Sequence, residues 1–263
     1  MREILSKRLL LVTALLIVSG SALAADGFTW LGYVAHATHI PSHIVTFLFI
    51  ALVLILIGFT YRLKLKSVQN IVIPESNINL RSLTEAYGQF IYNQCKAVLG
   101  EVEAPKYFSF ISTIFIVILL SNLIGLIPGF LPPTEYISTT LALGCFTFVF
   151  YNIKGCKEQG VVNYLKHFAG PLWYMAFLVF PIEIISNFIR PISLALRLRG
   201  NMYGDHLVLS TFSNLVAIGV PLPFYVLGIL VSFIQAYVFT VLSMVYIALA
   251  THHDHGDDHG HAH

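Results

Sequence analysis

The sequence predicts an all-α membrane protein with about five membrane-crossing helices and one amphipathic surface helix, the last two crossings long and strongly tilted as a hairpin. Three observations predict it. Of 263 residues, 57% are hydrophobic and 11% charged, and the mean hydropathy is +0.78, a balance suited to hydrocarbon rather than water. Apolar runs long enough to cross about 30 Å of hydrocarbon recur along the chain. The basic residues stand singly or in short clusters beside those runs, where they set topology. A net charge of +2 is too small to point to a nucleic-acid partner.

The N-terminus reads as an export signal over residues 1–24. Arg2, Lys7 and Arg8 form a positive region, Leu9 to Val18 an apolar core, and Ala22-Leu23-Ala24 a small-x-small site. Cleavage after Ala24 would put the mature N-terminus outside the cytoplasm; a short uncleaved anchor is the competing reading. Residues 25–251 then form a single polytopic membrane domain, since no internal repeat appears.

The first crossing runs from Ile40 to Tyr61, and the "RLKLK" that follows at Arg62–Lys66 belongs inside. From Asn79 to Val102 the apolar residues Leu80, Leu83, Tyr87, Ile91, Cys95, Val98 and Val102 recur every three or four positions with polar residues between them. That period predicts an amphipathic helix on the cytoplasmic surface. Ser82 and Glu85 have capping-box spacing at its start. Tyr107 to Ile127 is the second crossing, "IPGFLPPTE" at Ile127–Glu135 supplies an outer turn, and Tyr136 to Ile153 crosses back toward Lys154, Lys157 and Lys166.

The next region resists simple counting. An upright span from Leu172 to Ile189 would strand Arg190, Arg197 and Arg199 outside with Asp205 alone for company. Residues Leu207 to Val220 are too few to cross by themselves. One long segment from Leu172 to about Val220, loosened at Pro181, Pro191, Gly200 and Gly204, and a second from Pro223 to Ala250 solve the problem by tilting or breaking. Five crossings result, with a cytoplasmic C-terminus.

That solution places arginines in the membrane zone, where a charge costs about 3 kcal/mol unless it faces water, protein or an opposite charge. Between Ile182 and Ala250 the only acids are Glu183 and Asp205, and neither lies four residues from Arg197. A carboxylate on another chain is the natural partner. Ser186, Arg190, Ser193, Arg197 and Asn201 share one face of an ideal helix, a polar stripe on an apolar rod. Snorkelling of these arginines to one interface is the alternative that periodicity leaves open.

"PISLALRLRGNMYGDH" at Pro191–His206 and "FIQAYVFTVLSMVYIALA" at Phe233–Ala250 resemble the two-helix core of the subunit a family of F-type ATP synthases. "NLIGLIPGF" at Asn122–Phe130 and "TTLALG" at Thr139–Gly144 extend the resemblance from about His39 onward. The resemblance implies a proton-translocating stator that is not an enzyme by itself. Its helical hairpin would face a ring of c subunits, each with one membrane carboxylate, and would supply two offset half-channels. It implies b subunits of the peripheral stalk as neighbours and a soluble catalytic headpiece as an indirect partner. A multi-pass position in the bacterial inner membrane and no cofactor follow from the same likeness.

Arg197 matches the family's essential arginine, whose guanidinium would hold the ring carboxylate ionised and block direct proton passage. Asn201 matches an asparagine one turn later, and Gln235 a glutamine on the partner helix. Ser193 and Ser186 match small polar positions, and Glu183 an acid lining a half-channel. His206 stands where relatives carry glutamate or histidine, and an imidazole there would relay protons near neutral pH. The chain departs from the pattern at Gly228, where many relatives carry a second titratable group. Asp205 substitutes in part, although it projects about 100 degrees from His206 on a helix. Arg199 replaces an apolar or aromatic residue and is expected toward the cytoplasmic half-channel or the headgroups.

The tail "HHDHGDDHGHAH" at His252–His263 reads as disordered and solvated, with no site geometry. His36, His39 and His43 would share a face only if a helix continued through Pro41, so no metal site is expected there. Cys95, Cys145 and Cys156 form no CxxC pair and read as small buried apolar residues. A secondary transporter would show internal repeats and more spans, and a receptor would not need a polar stripe at membrane depth. No GxxxxGK[ST] or nucleophile motif occurs, so ATP chemistry belongs to other chains.

Overall fold

The computed structural model describes residues 30–66, 80–127, 129–160, 164, 173–215 and 221–251. The segment read as a signal, the His-rich tail, Lys166, Leu172 and Val220 lie outside these residues. All regular structure among the described residues is helical: α1 (Gly32–Thr38), α2 (Ser42–Lys66), α3 (Leu80–Leu99), α4 (Ala104–Ile124), a 3₁₀ turn (Pro133–Glu135), α5 (Ile137–Gln159), α6 (Trp173–Leu215) and α7 (Pro221–Thr251). Helices α2, α4, α6 and α7 are each long and apolar enough to cross a membrane. Helix α5, the remaining predicted crossing, has 23 residues but carries Lys154, Lys157 and Glu158 in its last turns, which lowers its apolarity. It packs along α6 and α7.

Local chemistry sets the boundaries. His39 takes a left-handed conformation (φ 55°) that closes α1, and α2 starts at Ser42 directly after Pro41. The helix therefore breaks between His36 and His43, and the three histidines do not share one helical face. Helix α3 begins at Leu80, which puts Ser82 inside the first turn rather than ahead of it. Glu85 instead accepts from Arg81 Nε at 2.7 Å, so the capping-box spacing does not mark the helix start.

Part of the apolar face of α3 is covered by protein, while Leu83 and Val102 of the predicted face stay exposed. Ile91, Cys95 and Leu99 are buried with Tyr107, Ile111, Phe115 and Ile118 of α4 and Ala236, Phe239, Met244 and Ile247 of α7. Tyr237 of α7 donates to Gln94 Oε1 at 3.0 Å, which pins the polar shoulder of α3. Of the three cysteines only Cys95 is buried; Cys145 is exposed and Cys156 half-buried, because Cys145 sits on the outer face of α5. Helix α2 leaves Leu48, Leu52, Ile55, Leu56 and Phe59 more than half exposed, the surface of a peripheral, lipid-facing span.

Helix α6 resolves the choice between tilt and break. It runs unbroken for 43 residues through both Pro181 and Pro191. At about 1.5 Å per residue this length is roughly twice the hydrocarbon thickness, so the helix tilts strongly. Pro191 has no N–H to give the carbonyl of Asn187, four residues back. Tyr151 of α5 stands at that place: its hydroxyl donates to Asn187 Oδ1 at 2.7 Å and lies 3.4 Å from the Asn187 carbonyl oxygen. Beside it Gly144 lets α5 approach closely, since a Cβ at this position would stand 2.7 Å from the Pro191 carbonyl oxygen.

Candidate functional site

Helices α6 and α7 form an antiparallel hairpin in constant register. Arg190 lies over the ring of Tyr246 at 5.3 Å, Asn201 pairs with Gln235, and Phe212 stacks on Phe224 with ring centroids 4.5 Å apart. These contacts recur about every three turns on both helices, so the same two faces meet along the whole length. In the middle contact Asn201 Nδ2 donates to Gln235 Oε1, and Gln235 is buried while Asn201 keeps an open side.

The outer face of α6 is open. Ile192, Ser193, Leu196, Arg197, Gly200 and Asn201 are exposed, and Ile234 of α7 continues the surface. Arg197 makes no hydrogen bond or ion pair among the described residues. Arg190, two stripe positions earlier, is paired: Nη2 stands 3.4 Å from Glu183 Oε1. The polar stripe thus divides into a satisfied end, Glu183 with Arg190, and an unsatisfied one around Arg197. Ser193 belongs to the open part and Ser186 is half-buried.

Two cavities meet the hairpin beyond Arg197. One, of about 410 Å³, opens beside Asn201, Gly204, Asp205 and Gln235. The other, of about 90 Å³, lies between α4, α6 and α7 and is lined by Asn122, Asp205, His206, Gly228 and Ser232 among others. Asp205 borders both, and its Oδ2 is buried without a hydrogen-bond partner among the described residues. His206 turns its Nδ1 to Glu135 Oε2 at 3.3 Å, across to the 3₁₀ turn. Asn122 anchors that turn, accepting from Thr134 Oγ1 at 2.8 Å while its Nδ2 reaches the Ser232 carbonyl of α7. The turn is therefore fixed to the hairpin by a buried polar residue of α4 that is hydrogen-bonded to both the turn and α7.

The sequence model of the ATP synthase A chain family matches residues 12–248. The chain belongs to this family. A relative from Bdellovibrio bacteriovorus named ATP synthase subunit a is 45% identical over 228 residues, 87% of this chain and 99% of that relative. Subunit a from Sorangium cellulosum is 41% identical over 204 residues, covering 78% of this chain and 80% of that protein. The corresponding protein of Geobacter sulfurreducens is 50% identical over 157 residues, 60% of this chain and 68% of its own length. As a member of the ATP synthase A chain family, the chain is a non-catalytic, multi-pass membrane subunit associated with ATP synthesis and proton transport.

Within this family member Arg197 and Asn201 stand on the open face of the hairpin, Asn201, Asp205 and buried Gln235 line the adjoining cavity, His206 lines the smaller one, and Glu183 is set apart with Arg190. Three contributions were not legible in the sequence. Glu135 read only as the end of an outer turn. Asn122 stood in a recognised motif without a role. Tyr151, Asn152, Asn187 and Tyr164 form a hydrogen-bonded group between α5 and α6, with Tyr164 donating to Asn152 Oδ1 at 2.8 Å and Asn187 Nδ2 to the same oxygen at 3.2 Å. The available signal was weak: an acid in a turn with no basic neighbour, and asparagines in apolar spans. Arg199 is exposed, and its Nε donates to the Glu135 carbonyl at 3.3 Å, a contact that sequence reasoning did not foresee.

Proposed function

We propose that this subunit is the proton-translocating stator of an F-type ATP synthase, forming two offset half-channels that load and unload protons on the carboxylates of a c-ring. The observation that carries the reading is Arg197. An always-charged guanidinium on a membrane-crossing helix stands exposed and without a partner among the described residues, although such a group costs about 3 kcal/mol in hydrocarbon. A rotor carboxylate arriving with each step offsets that cost, and the guanidinium holds it ionised while separating the half-channels. The transmembrane field, about 2.3 kcal/mol per charge per 100 mV, drives the cycle.

Asn201 and Gln235 position water or the ring site next to Arg197, with Ser193 and Ser186 along the same approach. Glu183 belongs to one half-channel, and His206 with Asp205 to the other. The b subunits hold the chain against rotation and the soluble headpiece performs the ATP chemistry. The chain resides in the bacterial inner membrane after its signal directs insertion, with the N-terminus outside and the C-terminus cytoplasmic.

The test is ATP-driven proton pumping in inverted membrane vesicles carrying Arg197→Ala, with passive proton leak as the control and complex assembly checked on a native gel. Loss of pumping with assembly retained is expected. Unchanged pumping would withdraw the role of the whole stripe.

A further inference from the structure

We propose that Glu135 is a proton-handling group of this subunit, passing protons between the water outside the α4–α5 turn and His206, with Asp205 next in line toward the open face of the hairpin. The inference rests on the stator reading above and adds a residue and a route to it.

Four observations carry it. Glu135 is only 18% exposed as a side chain, and its Oε2 is buried without a hydrogen bond of ordinary geometry; the neighbour it faces is His206 Nδ1 at 3.3 Å. A buried carboxylate held so loosely is costly unless a proton or a cation visits it. His206, by contrast, lines the small cavity shared with Asp205, so the imidazole stands between the turn and the interior. Asp205 in turn borders the larger cavity that contains Asn201 and Gln235, and its own Oδ2 lacks a partner among the described residues. Finally, Gly228 on α7 faces the same small cavity without any titratable group. The groups that bear charge around the relay are Glu135 in the turn and Asp205, His206 and Arg199 on α6. Helices α4 and α7 present Asn122 and Ser232, which do not titrate.

The turn is also held in place for this task. Arg199 Nε binds the Glu135 carbonyl, and Thr134 beside it is tied to Asn122. The carboxylate is thereby aimed at α6 from a fixed backbone, as a relay requires. The transfer balances simply. Glu135, protonated from outside water, gives its proton to Nδ1 of neutral His206 and returns to carboxylate. The imidazolium then turns Nδ1 toward the cavity, releases that same proton toward Asp205, and rotates back as the neutral Nε2–H tautomer with which it began.

The test uses the whole ATP synthase in inverted vesicles, with assembly measured on a native gel. Glu135→Gln removes the titrating oxygen and keeps the shape, and is expected to lower ATP-driven pumping by about tenfold or more. His206→Ala is expected to do the same, and the double variant to be no worse than either single one, because steps in series do not multiply. Unchanged pumping in Glu135→Gln, or a multiplicative loss in the double variant, overturns the relay. If Glu135→Gln does not assemble, Glu135→Asp decides: assembly with a displaced pH profile of pumping supports the relay, and an unaltered rate and profile overturns it. Arg197→Ala in the same vesicles separates the two readings. Pumping lost there but normal in Glu135→Gln removes the relay and leaves the stator, whereas pumping unaffected by Arg197→Ala removes the stator itself.

Discussion

Asn201 Nδ2 donates to Gln235 Oε1 at 2.5 Å, and this bond sits midway between the Arg190–Tyr246 and Phe212–Phe224 contacts that set the hairpin register. It joins the two helices with the Gln235 amide buried, and both residues line the cavity that opens one turn beyond Arg197.

Gln235→Leu leaves the Asn201 amide without its partner and Gln235 is a buried position, so a loss of about 1–2 kcal/mol is expected. The exchanged pair Asn201→Gln with Gln235→Asn keeps one amide on each helix and should recover at least part of it. Thermal unfolding of the purified protein in detergent measures both. Equal destabilisation in the exchanged pair and in Gln235→Leu would remove the bond from the account of hairpin stability.

A second prediction concerns Pro191. Tyr151→Phe deletes the hydroxyl that serves Asn187 and should cost about 1–3 kcal/mol. Pro191→Ala supplies a backbone N–H to the same carbonyl, so the double variant should lose less than the sum of the two single effects. Additive losses by thermal unfolding would mean that the tyrosine serves only the Asn187 side chain.

Gly144 and Gly58 make a matched pair. Alanine at 144 places a methyl group 2.7 Å from the Pro191 carbonyl, a backbone atom that cannot move aside alone, whereas alanine at 58 meets nothing within 4 Å. Gly144→Ala should destabilise by about 1–3 kcal/mol, and Gly58→Ala should be neutral or stabilise by up to about 1 kcal/mol. Chemical unfolding in detergent of the two variants, run side by side, distinguishes close packing from a general glycine effect.

Burial pushes the Cys95 thiol from its ordinary 9.0 up to about 11. The raised value favours the protonated thiol, so at pH 8 the folded protein holds about a hundredfold less thiolate than an unperturbed cysteine would. Alkylation of a variant retaining only Cys95 should therefore be slow by at least that factor at pH 8 relative to the SDS-denatured chain, and should accelerate as pH rises toward 11. Mass spectrometry of timed iodoacetamide reactions follows it. Rapid labelling of the native protein would show that α3 separates from α4 and α7.

Much of the architecture was readable because lipid imposes strong rules. The spans α2 and α4 were placed within a few residues, since apolar length and flanking lysines leave little choice. The 3.6-residue period of α3 identified its buried face, with Ile91 and Cys95 on it. The stripe containing Ser193, Arg197 and Asn201 followed from helical spacing alone. Sequence reasoning could not see Glu135, because a turn residue and a residue on α6 some seventy positions later share no periodicity. The contact of Arg199 was hidden for the same reason: the carbonyl that receives it belongs to that turn.

The sequence by itself determined the all-helical membrane class, the long final hairpin and the isolation of Arg197 from any acid within helical reach. Those properties depend on composition and on contacts a few residues apart, which one chain segment carries in its own spacing. The tertiary structure alone decided that α6 passes unbroken through Pro191, that Asn201 meets Gln235, and that Glu135 meets His206. Each of these joins distant segments, and each rests on a polar group that must find a partner once hydrocarbon has taken the place of water.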